Sequence, residues 1–103
     1  MARQTQQVIA YARNENVGGN VVERKEIQIP DNCTYVSHTT GITTASPQDE
    51  GEGRWSRSDG VVRRNPNNRI ASVWVEANAG SRSTFGINIW VGVQLTVTYD
   101  CPD

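Results

Sequence analysis

Two tryptophans occupy matching settings, Trp74 in "SVWVEA" and Trp90 in "NIWVGV", and they offer the clearest chemistry in the chain. Flat indole faces stack on the C–H faces of sugar rings, while nearby amides and carboxylates hydrogen-bond the hydroxyls. Small-ligand sites combine a few apolar surfaces with convergent polar groups in this way. Glu76, Asn78, Arg82 and Asn88 surround the two indoles in sequence, and the chain holds nine Asn and six Gln in all. This pattern predicts a non-enzymatic, lectin-like module whose partner is a glycan or glycoconjugate. Its ligand-binding set is Trp74, Trp90, Glu76, Asn88, Asn78 and Arg82, with the 78–83 loop as rim. The same indoles fit a second class, a self-assembling coat, shell or fibre subunit whose aromatic patch is a homo-oligomer interface. Structural cover by the N-terminal segment or the 45–53 loop is the plainest account of both rings.

Other reactive residues form weaker constellations. Residues 54–69 carry Arg54, Arg57, Arg63, Arg64 and Arg69 against Asp59 alone. Arginine forks suit phosphate, sulfate and carboxylate, so an anionic polymer is one reading, with Trp55 stacked on it or on an arginine. The simpler expectation is that these arginines keep strand edges from pairing with other chains and that Trp55 anchors a hairpin to the core. Asp49, Glu50 and Glu52 suggest a cation, but their spacing is not the ligand order of an EF-hand, and a solvated acidic loop is the better reading. His38 is the only histidine; with Cys33 and Cys101 it makes at most three scattered metal ligands, and the two cysteines lack the close spacing of a zinc knuckle. A Cys–His nucleophile pair lacks any sign of an oxyanion hole. No motif marks Asp31, Asp59 and Glu76 as paired acid and base. The expectation is therefore no enzyme, no metal and no cofactor.

The elements that must position these groups read as strands. The chain has 12 Val, 7 Ile and 9 Thr against one Leu, one Met and one Lys. β-branched side chains pack well on a pleated sheet and lose rotamer freedom in a helix. Residues 85–101, "FGINIWVGVQLTVTYDC", place an apolar residue or Cys at every odd position. Further strands are expected at 7–15, 21–29, 33–44 and 69–77, with hairpins at Gly18-Gly19, Asp59-Gly60 and 65–68, and one helical turn in 45–53. The sum is an all-β, small antiparallel β-sandwich or flattened barrel of seven or eight short strands. A strand of 17 residues would span roughly 56 Å, whereas a compact chain of this size is about 33 Å across. The 85–101 strand should therefore kink, near Gly92. A symmetrical hairpin about residues 81–83 would set Trp74 opposite Trp90 on one outer face.

Composition sets the outer limits. The 103 residues make a single domain, 1–103. A net charge of −1 argues against general nucleic-acid binding, and no apolar run reaches the length of a membrane span. The first residues lack a run long enough for a signal peptide, which leaves a cytoplasmic chain, one exported by another route, or a trimmed one. Cys33 and Cys101 are either a disulfide closing a loop of about 69 residues or two small buried thiols. Asn32-Cys33-Thr34 fits the N-glycosylation pattern.

Overall fold

The computed structural model describes residues 1–15, 18–47, 53–82 and 87–103. Six strands follow in order: β1 (Ala2–Glu15), β2 (Gly19–Gln28), β3 (Thr34–Ala45), β4 (Gly53–Arg64), β5 (Arg69–Ser81) and β6 (Asn88–Cys101). They form two antiparallel three-stranded sheets. Sheet A has the order β1-β6-β3 and sheet B the order β2-β5-β4. The all-β sandwich expected from composition is the fold, with six long strands in place of seven or eight short ones.

Alternation on the two central strands builds the core. Val73, Val75, Ala77 and Ala79 of β5 and Ile89, Val91, Val93, Leu95 and Val97 of β6 are withdrawn from water. Their sequence neighbours point to the outer faces, because successive strand residues alternate sides. Ala10, Ala12, Ile27 and Ile29 complete the layer. At Gly53 the sheets come so close that an added Cβ would run into the Ile89 side chain. The buried Asn14 amide donates to the carbonyls of Gly19 (3.1 Å) and Ala79 (3.2 Å), tying β1 to sheet B.

Several connections differ from the hairpins expected. Gly19 does take positive φ (96°), but β1 and β2 lie in different sheets and so do not pair as a hairpin. β5 and β6 likewise lie in different sheets. Alternation alone cannot separate the two cases: a hairpin sets strands edge to edge, an arch sets them face to face, and the inward pattern is identical. Asp59-Gly60 is not a turn at all but lies inside β4. The 65–68 turn is a true hairpin between β4 and β5, with Asn67 (φ 68°) and Asn68 (φ 51°) left-handed. Asparagine tolerates that region better than most residues. The helical turn expected in 45–53 and the acids Asp49, Glu50 and Glu52 fall mostly or wholly outside the described residues.

No kink interrupts β6. It pairs with β1 in unbroken register from Ala2↔Cys101 to Glu15↔Asn88. The irregularity near Gly92 is in the partner strand: β3 is bulged between Ile42 and Thr44, and again between Tyr35 and Ser37. The expected bend assumed a rounded molecule. The real one measures 54 × 24 × 14 Å with a radius of gyration of 16.5 Å, so a 14-residue strand, about 46 Å long, fits along it. Cys33 and Cys101 form a disulfide that joins the start of β3 to the end of β6.

Candidate functional site

The placement of β5 and β6 in different sheets decides where the tryptophans go. Trp74 and Trp90 lie on opposite outer faces of the sandwich, so the expected pair of facing indoles does not exist. The six candidate residues divide accordingly. Trp74, Glu76 and Asn78 stand on the outer face of sheet B, Trp90 and Asn88 on that of sheet A, and Arg82 is exposed just beyond the end of β5.

On sheet B, Trp74 is covered by its own neighbours. It is in register with Glu26 of β2 and Gly60 of β4. The indole leans across Gly60, where an added Cβ would come within 2.6 Å of Cζ2 and 2.9 Å of Nε1. The Arg24 guanidinium sits 4.0 Å from the ring centroid, in cation–π range. A ring laid over a strand glycine shields the exposed backbone beneath it, and Trp74 fits that structural role.

Sheet A presents a different surface. Trp90 is in register with Arg13, and Tyr11 with Gly92, which makes Tyr11 and Trp90 diagonal neighbours on one face. Diagonal positions on adjacent strands lie roughly 7–8 Å apart, within reach of aromatic side chains. Gly92 between them is buried, and its neighbours close over it: a Cβ there would meet Thr43 Oγ1 at 2.6 Å, Thr44 Cγ2 at 3.2 Å and Tyr11 Cδ2 at 3.4 Å. The Trp90 indole donates from Nε1 to Thr44 Oγ1 (3.2 Å), and its backbone is held by Ser46, whose N–H donates to the Trp90 carbonyl (2.9 Å). Arg13 lies beside the ring, its guanidinium 6.0 Å from the centroid. It donates from Nε to Asn88 Oδ1 (3.1 Å) and pairs with Glu15 at 3.5 Å. Further along the face come Ile9 and Gln94, then Gln7 and Thr96, joined by a 3.3 Å hydrogen bond.

Sequence reasoning missed Tyr11, Arg13, Thr44 and Gln94. The alternation of Ile9, Tyr11 and Arg13 was legible, but not which strand would lie beside theirs.

The remaining chemical candidates have structural partners. Both cysteines are in the disulfide, which removes any thiolate nucleophile. His38 accepts or donates between the Tyr35 hydroxyl (2.7 Å) and Asp59 (3.2 Å), linking β3 to β4 along one open side of the sandwich. Trp55 closes the same side, packing on the core and donating from Nε1 to the Ser46 carbonyl at 2.7 Å. It is a core anchor as expected, though on a continuous strand. Asp31 pairs with Arg69 at 2.7 Å and Arg63 donates to the Asn68 carbonyl. Arg54 and Arg64 stand at opposite ends of β4, roughly 33 Å apart along the strand, so the arginine-rich segment is not one patch. Among the described residues no three His, Cys, Asp or Glu side chains are grouped to hold a metal, and no helix is long and apolar enough to cross a membrane. Comparison of the chain with known protein families, with curated proteins and with solved structures finds no match.

Proposed function

We propose that this chain is a non-enzymatic carbohydrate-binding module of lectin type, and that the glycan lies on the outer face of sheet A. One observation carries the reading: Tyr11 and Trp90 are diagonal neighbours on a sheet face bordered by hydrogen-bonding groups. Tyr11 is 40% exposed, unlike the indole of Trp74 beneath Arg24. Gln94 lies beyond Gly92 on the same face, and Thr44, Arg13 and Asn88 lie around Trp90, so a sugar stacked on the two rings would find hydrogen-bonding groups at its rim. Arg13 is balanced by Glu15, so the surface favours a neutral sugar. The disulfide supports the reading indirectly, since such bonds persist in the oxidising settings outside the cytoplasm where glycans are plentiful.

Binding to a neutral glycan array and retention in gels cast with neutral polysaccharides test the idea. Wild type and Trp74→Ala should give the same sugar-dependent signal, and Tyr11→Ala/Trp90→Ala should lose it. Tyr11→Ala alone, on an exposed residue, should weaken it and serves if the double variant loses its near-UV circular dichroism. A chain that recognises no neutral glycan, or a double variant that is folded and binds as wild type, refutes the proposal. If Tyr11→Ala/Trp90→Ala instead abolishes a concentration-dependent oligomer, the assembly reading of the same patch replaces it.

A further inference from the structure

Each sheet has only three strands, so each leaves two edges, and an edge strand offers a row of unpaired backbone groups to any other strand. Three of the four edges are blunted. β2 carries four consecutive charges, Glu23-Arg24-Lys25-Glu26. β3 is bulged twice. β4 bears four arginines and a register shift between Val62 and Arg63. β1 alone is regular along its whole length and uncharged from Gln4 to Ala12.

The orientation of its amides is fixed by one contact. The Tyr11 backbone N–H donates to Glu23 Oε1 of β2 at 3.0 Å, so it points away from β6. Every second amide of a strand in an antiparallel pair points the same way, which directs those of Thr5, Gln7 and Ile9 outward too. Ile9 is 50% exposed on the outer face beside this edge.

We infer that the β1 edge pairs with β1 of a second copy, antiparallel about a two-fold axis at Ile9. This register sets Ile9 against its own copy, Gln7 opposite Tyr11, Thr5 opposite Arg13, and Arg3 opposite Glu15; the Tyr11 N–H then passes from Glu23 Oε1 to the carbonyl of Gln7 in the second copy. Opposed charges across a strand pair contribute favourably and like charges oppose pairing. The Ile9 register sets Arg3, already bonded to Asp100, beside Glu15, already paired with Arg13, so that the two ion pairs meet at both ends, whereas centring on Val8 would set Arg3 against Arg13. Self-complementarity of this kind is what a closed two-fold interface requires, and it covers the exposed isoleucine. The product is a continuous six-stranded sheet, β3-β6-β1 joined to the partner's β1-β6-β3. Both Tyr11–Gly92–Trp90 surfaces then lie on one face, but the pairing stands whether or not that face binds sugar.

Sedimentation equilibrium from micromolar to near-millimolar concentration, with amide exchange on the same samples, tests the proposal. Wild type should dimerise, and protection of Thr5, Gln7 and Ile9 amides should rise with concentration. Ile9→Lys and Ile9→Glu alter an exposed side chain and should each remain folded with a dimer weakened about tenfold or more, since like charges then meet on the axis. Mixing the two variants should restore a one-to-one heterodimer. A wild type that stays monomeric, whether its edge is free or takes another protein's strand, overturns the inference. So does an Ile9→Lys chain that dimerises as wild type does, or a mixture that forms no heterodimer.

Discussion

Reducing the disulfide should destabilise the fold more than any single surface change. The bond joins residues 68 apart, closing a loop of about 69 residues. The chain-entropy relation gives a loss of about 15 cal/mol/K from the unfolded state, or about 4 kcal/mol at 25 °C. Small domains are stable by only about 5–15 kcal/mol, so this is a large share. A domain of this size shifts its midpoint by about 4–8 °C per kcal/mol, which predicts a melting temperature lower by roughly 15–30 °C. Urea unfolding followed by tryptophan fluorescence, with and without a phosphine reductant, measures the effect without altering the sequence. The reduced chain should also show a steeper denaturant dependence, because its unfolded state exposes more surface. Cys33→Ala/Cys101→Ala should reproduce both results, with a further small loss from the buried Cys33 site. A change below about 1 kcal/mol with an unchanged slope would refute the view that the bond acts by confining the unfolded chain.

Two other perturbations follow from the geometry. Gly60→Ala places a methyl against the Trp74 indole. It should displace the ring from Arg24, raise acrylamide quenching of tryptophan and cost about 1 kcal/mol, the low end for overpacking because the ring can swing toward solvent; unaltered quenching and stability would contradict the stacking described. Arg3 forms two hydrogen bonds to Asp100, at 3.0 and 3.3 Å, and these hold the Asp100 carboxyl below its ordinary value of 3.8. A carboxylate with a lowered folded pKa stabilises fully above its unfolded value and loses that contribution as pH falls through the folded one. The gap in urea midpoint between wild type and Arg3→Gln should thus be present at neutral pH and close on acidification below that ordinary value, and a gap that widens in acid would reverse the assignment.

Much of the fold was legible because β-branched alternation is a local signal. The odd residues of 87–101 are inward, as their pattern says, and the Asn-rich 65–68 segment turns as its composition says. Apart from the 65–68 hairpin, what failed was what depends on which strands become neighbours. Gly18-Gly19 and residues 81–83 look the same whether the chain doubles back within a sheet or crosses to the other. Gly60 carried a turn signature but serves as space for the Trp74 ring of the adjacent strand. Trp74 and Trp90 were correctly placed on outward faces, yet the sign of a single connection put them on opposite sides and gave Trp90 a partner, Tyr11, from the far end of the chain. The Cys33–Cys101 pairing was one of two open readings, since proximity of two strand ends is a property of topology and not of spacing.

The register of β1 with β6 has a bearing on how the molecule comes into being. Among the described residues, 2–15 find their sheet neighbour at residues 88–101, so β1 must wait for β6. β3 depends on the same late segment, while β4 and β5, joined by a short turn, can associate early. Pairings so distant along the chain are slow to form. During synthesis β1 and β3 therefore remain without their central strand until residues 88–101 have left the ribosome, and sheet A is assembled as one event around β6.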